Sequence, residues 1–112
     1  MGLGPQIISN GNIQSSWVLS VTLTPVSVAA SSTVEQSFTV NGLALASDQV
    51  SDFTYQGAYT LNVSIANARV SANNTLTVAY SNQTVGAVVP PSGTYYLEIN
   101  RVTPGLSMTQ IV

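Results

Sequence analysis

Four carboxylates and two arginines are all the ionic chemistry in this chain: Glu35, Asp48, Asp52, Glu98, Arg69 and Arg101. There is no histidine, lysine or cysteine. General acid–base catalysis needs groups that titrate near the working pH, and only carboxylates are available. Nucleophilic triads lack their base, and disulfides and thiolate metal sites are excluded. Glu35 and Glu98 each sit on the polar face of a strand-like run, where carboxylates paired across a sheet, about 5–9 Å apart, could cleave glycosides. No spacing in the sequence sets that distance, and two solvated strand residues explain them as well. Asp48 and Asp52 offer hard oxygen ligands to a cation such as Ca²⁺, but they match no EF-hand loop. No glycine-rich phosphate loop is present. The expectation is a protein that is not an enzyme, with no cofactor and no metal.

The elements that carry these residues read as strands. Trp17, Leu19, Val21 and Leu23 alternate with Val18, Ser20, Thr22 and Thr24, and Pro25 ends the run. Val34, Gln36, Phe38 and Val40 alternate with Glu35, Ser37 and Thr39, followed by Asn41-Gly42, a strong hairpin signal. The stretch from Leu43 to Gln56 is looser, with short strands around Val50 and Phe53. Tyr59, Leu61, Val63 and Ile65 form a clear alternation, and Asn73-Asn74 reads as a second hairpin turn. Pro90-Pro91-Ser92-Gly93 bends the chain before a last strand with Tyr95, Leu97 and Ile99 on one face and Tyr96, Glu98 and Asn100 on the other. About seven or eight antiparallel strands without helical periodicity predict an all-β domain, a β-sandwich or jelly roll.

The domain is expected to span 17–112, preceded over 1–16 by an extended N-terminal arm. Glycine, proline and asparagine interrupt that arm around Ile7, Ile8 and Ile13. It shows no basic leader and no apolar run long enough to cross a bilayer, so the expectation is a chain folded in a cytoplasm. Asn62, Asn73 and Asn82 each begin an N-x-[ST] triplet, and without a leader these say nothing about glycosylation.

Charged residues are 5% of the chain, against roughly 25% in ordinary soluble proteins. A net charge of −2 with no basic cluster argues against nucleic acid and anionic membranes as partners. Serine, threonine and asparagine occupy the wet strand faces instead. Sheet edges are normally guarded by charge, lysine above all, so edges here are expected to be covered by arms, loops or other chains. The candidate intersubunit contacts are Ile7, Ile8 and Ile13 of the arm, Trp17 at its junction, and the two cations Arg69 and Arg101. Each arginine is suited to a bidentate pair with Glu98, Glu35 or a partner's carboxylate.

The stretch Val26–Val102 resembles small virion proteins of tailed bacteriophages, of the head decoration or cement type. Ser27-Val28-Ala29-Ala30-Ser31-Ser32-Thr33-Val34-Glu35-Gln36 and Phe38-Thr39-Val40-Asn41-Gly42-Leu43 carry the likeness. So do Asn67-Ala68-Arg69-Val70-Ser71-Ala72-Asn73-Asn74-Thr75-Leu76-Thr77-Val78, Tyr80-Ser81-Asn82 and Pro91-Ser92-Gly93-Thr94-Tyr95. The resemblance implies a jelly roll or related sandwich, present as dimers or trimers on the outer surface of the head. There it would tie major capsid protein subunits together, as a virion component assembled in the host cytoplasm. The competing expectation is a carbohydrate- or host-binding module of a fibre or spike, using Tyr55, Tyr59, Tyr80, Tyr95 and Tyr96 as stacking platforms.

Overall fold

The computed structural model describes residues 13–58 and 62–102. These residues form an all-β fold of six strands: β1 (Ile13–Leu23), β2 (Ser32–Thr39), β3 (Asp48–Tyr55), β4 (Val63–Ala72), β5 (Thr75–Asn82) and β6 (Gly93–Val102). Two antiparallel three-stranded sheets are built from them, in the orders β1-β6-β3 and β2-β5-β4. The expected seven or eight strands of a jelly roll are therefore not formed among the described residues. First pairs with last and second with fifth, as when one antiparallel ladder folds over on itself.

The core lies between the two central strands. On β6, Tyr95, Leu97 and Ile99 are fully buried, and on β5 so are Leu76, Val78 and Tyr80. Burying six such side chains stabilises the fold by on the order of 2 kcal/mol each, an upper estimate because unfolded chains already hide some apolar surface. The alternation in β1 sets its register: Trp17 pairs with Ile99, Leu19 with Leu97 and Val21 with Tyr95. Tyr95 is the hub of the aromatic packing. Phe53 stacks on it at 5.0 Å between centroids, and Tyr55 tilts against it at 4.9 Å. Its hydroxyl receives a hydrogen bond from Tyr80 and donates one to the Pro91 carbonyl. Burial raises its pKa above the ordinary tyrosine value.

Two features depart from the sequence reading. Ile13 to Ser16 belong to β1, with Ile13 opposite Val102, so these residues are strand and not arm. The expected arm residues Ile7 and Ile8 lie outside the described residues, as do Tyr59 and Leu61. Asn41-Gly42 makes a turn, with Gly42 at φ +102°, but the turn carries the chain from one sheet to the other. Its cause is tertiary: the Asn74 side chain accepts a hydrogen bond from the Gly42 amide at 2.8 Å, and the Asn74 amide donates to the Leu43 carbonyl at 2.8 Å. The Asn73-Asn74 hairpin itself forms as its sequence suggests, with Asn74 at φ +60°.

Candidate functional site

Of the six candidate contact residues, the structure brings two together. Trp17 and Arg101 meet where β1 begins and β6 ends, with the guanidinium carbon 4.9 Å from the centre of the indole. Arg101 Nε donates to Asp48 Oδ1 at 2.6 Å, and Nη2 donates to Asp48 Oδ2 at 2.8 Å and to the Gly42 carbonyl at 3.0 Å. The Asp48 side chain is fully buried and also accepts from the Ala44 amide and the Ser47 hydroxyl. Hydrogen bonds from Arg101 hold its carboxyl below the ordinary aspartate pKa, against the desolvation that opposes them. The sequence offered Arg101 a glutamate or a partner's carboxylate instead. The true partner follows from the β3–β6 ladder, which sets Asp48 directly opposite Arg101. Arg101 therefore ties the β2–β3 connection to the first sheet within one subunit.

Arg69 lies elsewhere, on the outer face of the second sheet. It makes the pair with Glu35 that its type suggests, through two 3.2 Å hydrogen bonds. The pair spans from β4 to β2 over β5. Below it Thr77 is buried, bonded to the hydroxyls of Ser37 at 2.9 Å and Ser71 at 2.6 Å. The hydrogen bonds from Arg69 lower the Glu35 pKa. Both side chains are half exposed, so water screens the attraction. Glu35→Gln is expected to leave the thermal unfolding midpoint within experimental error. A clear drop would show that the pair supports the sheet.

Glu98 points outward from β6, on the opposite side of the sandwich from Glu35. Both layers lie between the two carboxylates, and facing sheets alone are about 10 Å apart, so they form no catalytic pair. Asp48 is committed to Arg101, and Asp52 stands opposite Glu98 with its carboxylate accepting from the Phe53 amide. Among the described residues no three metal-ligating side chains cluster. Tyr80 and Tyr95 are core and Tyr55 packs against the core, so they offer no stacking platform. Tyr96 and Val18 stand exposed on the outer face of the first sheet, Tyr96 opposite Ser20 and Val18 opposite Glu98. Among the described residues no helix is long and apolar enough to cross a membrane.

What the fold does present is edges. On one side of the sandwich β3 and β4 approach each other closely, while β1 and β2 on the other side make no comparable approach. β3 carries a bulge between Val50 and Asp52, and β4 carries bulges between Ile65 and Asn67 and between Val70 and Ala72. Bulges twist an edge away from foreign strands. β1 has an irregularity between Ile13 and Ser15, whereas β2 runs eight residues in unbroken register. Beside this open side the inward residues are incompletely covered: Trp17, Leu19, Val21 and Phe38 are half-buried, and Val34 remains 40% exposed. One further residue, Asn82, was missed as a functional anchor of the fold. It is buried beneath the loops at the other end, and its sequon reading concealed it. No protein-family model, curated protein or solved structure matches the chain.

Proposed function

We propose that this chain is a bacteriophage head decoration protein that binds the outer capsid surface and cements contacts between major capsid protein subunits. The observation that carries the reading is the unguarded β1–β2 side of the sandwich. There a strand edge without bulge or proline adjoins apolar side chains that remain half-buried or exposed among the described residues. The outer faces support it as well. They are solvated by hydroxyl and amide networks, such as Ser16 to Asn100 and Thr33 to Ser81, with very few charges to keep neighbours apart. The resemblance of Val26–Val102 to small virion proteins supplies the identity of the larger body. The mechanism is passive: each subunit contributes a modest contact, and repetition over the shell multiplies it.

The test is to delete the gene or strip the protein from virions and then heat them. Particles lacking it are expected to release DNA at a lower temperature than complete ones, and adding the purified protein back is expected to restore retention. Equal retention with and without the protein would overturn the cement role.

A further inference from the structure

Of the four sheet edges, β2 is the one without a device against pairing among the described residues. Every backbone hydrogen bond of Ser32–Thr39 described for this strand runs to β5. It contains no proline, no glycine and no lysine, and its one charge, Glu35, is neutralised by Arg69. An edge of this kind is a template for another strand. The sequence of β2 also specifies which strand fits. If a second β2 is laid antiparallel with the two-fold axis at Gln36, Val34 falls opposite Phe38 of the second copy on the inner face. On the outer face Glu35 falls opposite Ser37 and Thr33 opposite Thr39. Apolar meets apolar, and no like charges oppose each other. Shifting the axis to Glu35 would set the two glutamates against each other. At the axis the Gln36 amide is already satisfied, accepting from the Val26 amide at 2.9 Å and donating to the Val26 carbonyl at 2.8 Å.

We propose that two copies of this chain pair edge to edge through β2 in this register, joining their second sheets into one continuous six-stranded sheet. The inference rests on reading the chain as an assembly subunit, but it concerns the contact between copies and not the contact with the head. A single pair of short strands is a small interface, so the free dimer is expected to be weak and to be reinforced by repetition on a surface.

The experiment uses the full-length protein in sedimentation over a concentration series reaching the millimolar range. The wild type is expected to pass from monomer to dimer. V34K, which puts an unpaired charge at the seam, is expected to remain monomeric with an unchanged circular dichroism spectrum. The double variant T33C/T39C places thiols on the exposed outer face, too far apart within one strand to bond. In the proposed register each thiol meets its counterpart on the second copy, so mild oxidation is expected to give a covalent dimer far faster than with either single variant. A wild type that stays monomeric throughout would overturn the inference, and so would a dimer that V34K leaves intact or in which T33C/T39C links no faster than T33C. The two proposals fail separately. A β2 dimer that does not bind or stabilise virions removes the cement role and keeps the interface. Stabilised virions with a monomeric protein, or with dimers insensitive to V34K, do the reverse.

Discussion

Replacing Asn82 by aspartate is expected to destabilise the fold by about 3–5 kcal/mol at neutral pH, a large share of the total for a domain of this size. Asn82 is 1% exposed, at the end of the central strand β5. Its side-chain amide donates to the carbonyls of Val28 at 3.0 Å, Ala29 at 3.3 Å and Gly86 at 2.9 Å. Its carbonyl oxygen accepts from the Thr84 amide at 2.9 Å and the Thr84 hydroxyl at 2.7 Å. One side chain therefore joins the β1–β2 connection, the β5–β6 connection and the core strand between them, where Val28 and Val88 also exchange backbone bonds. Aspartate keeps the shape and reverses the chemistry. A donor becomes a second acceptor, and a buried negative charge faces three carbonyl oxygens.

Asn82→Ala is expected to cost less, about 3 kcal/mol. It removes a donor from three carbonyls, of which Val28 keeps the Val88 amide and Gly86 the Thr84 hydroxyl, buries no charge, and lets water enter the space. The two variants also separate by pH. Burial and the carbonyls would raise the pKa of the introduced carboxyl above its unfolded value, so the folded state binds the extra proton more tightly. Part of the lost stability then returns as the pH falls toward the acid range and disappears again as it rises. Urea unfolding of both variants at neutral and mildly acid pH measures this. An aspartate variant within about 1 kcal/mol of wild type at neutral pH would show that the loops are held by something else.

The same residue illustrates what sequence alone conveys. Asn82-Gln83-Thr84 followed by Gly86 is a short-range turn pattern in which Asn and Thr bond back to nearby backbone. As a sequon it invited a different question and yielded nothing. The strands whose pattern is strictly period 2 were legible, above all β6, where Tyr95, Leu97 and Ile99 face the core as their spacing requires. β3 was indistinct because Val50 and Phe53 both face inward at an odd spacing of three, and only the bulge between them makes this possible. The same applies in β4 to Ile65 and Ala68. A bulge arises from the pairing of two strands, so one strand's pattern does not announce it. Asn41-Gly42 fits a turn in either context, and what packs on it decides between hairpin and crossing. The scarcity of charge directs attention to the edges. Which edge stays open depends on bulge positions, and these are settled only when both sheets are in place.

Arg101→Met is expected to be the second costly change, through what it does to Asp48. The methionine retains much of the stem that packs beside Trp17 but removes the guanidinium. The Asp48 carboxylate, fully buried, then keeps, among the described residues, only the Ala44 amide and Ser47 hydroxyl as donors. Stranding a buried charge costs about 3 kcal/mol or more. Asp48→Asn is expected to be milder, because it leaves no buried anion and the remaining Arg101 side chain, 32% exposed, can turn its charge to water. The asymmetry distinguishes a buried carboxylate held by its partner from an ordinary surface pair, for which the two changes would be equally small. The acid limb supplies an independent check. The folded Asp48 pKa is depressed, so its stabilisation is fully present above the unfolded value near 3.8 and is lost as the pH falls through the folded value. Asp48→Asn is therefore expected to flatten the loss of stability in strong acid, while Glu35→Gln leaves most of it. Trp17 is the one tryptophan and lies against the guanidinium, so its fluorescence reports the site directly. Arg101→Met should shift the emission of the folded protein before any unfolding begins. An unchanged spectrum together with an unchanged acid limb in Asp48→Asn would mean that the triad of Trp17, Arg101 and Asp48 does not hold that end of the sandwich.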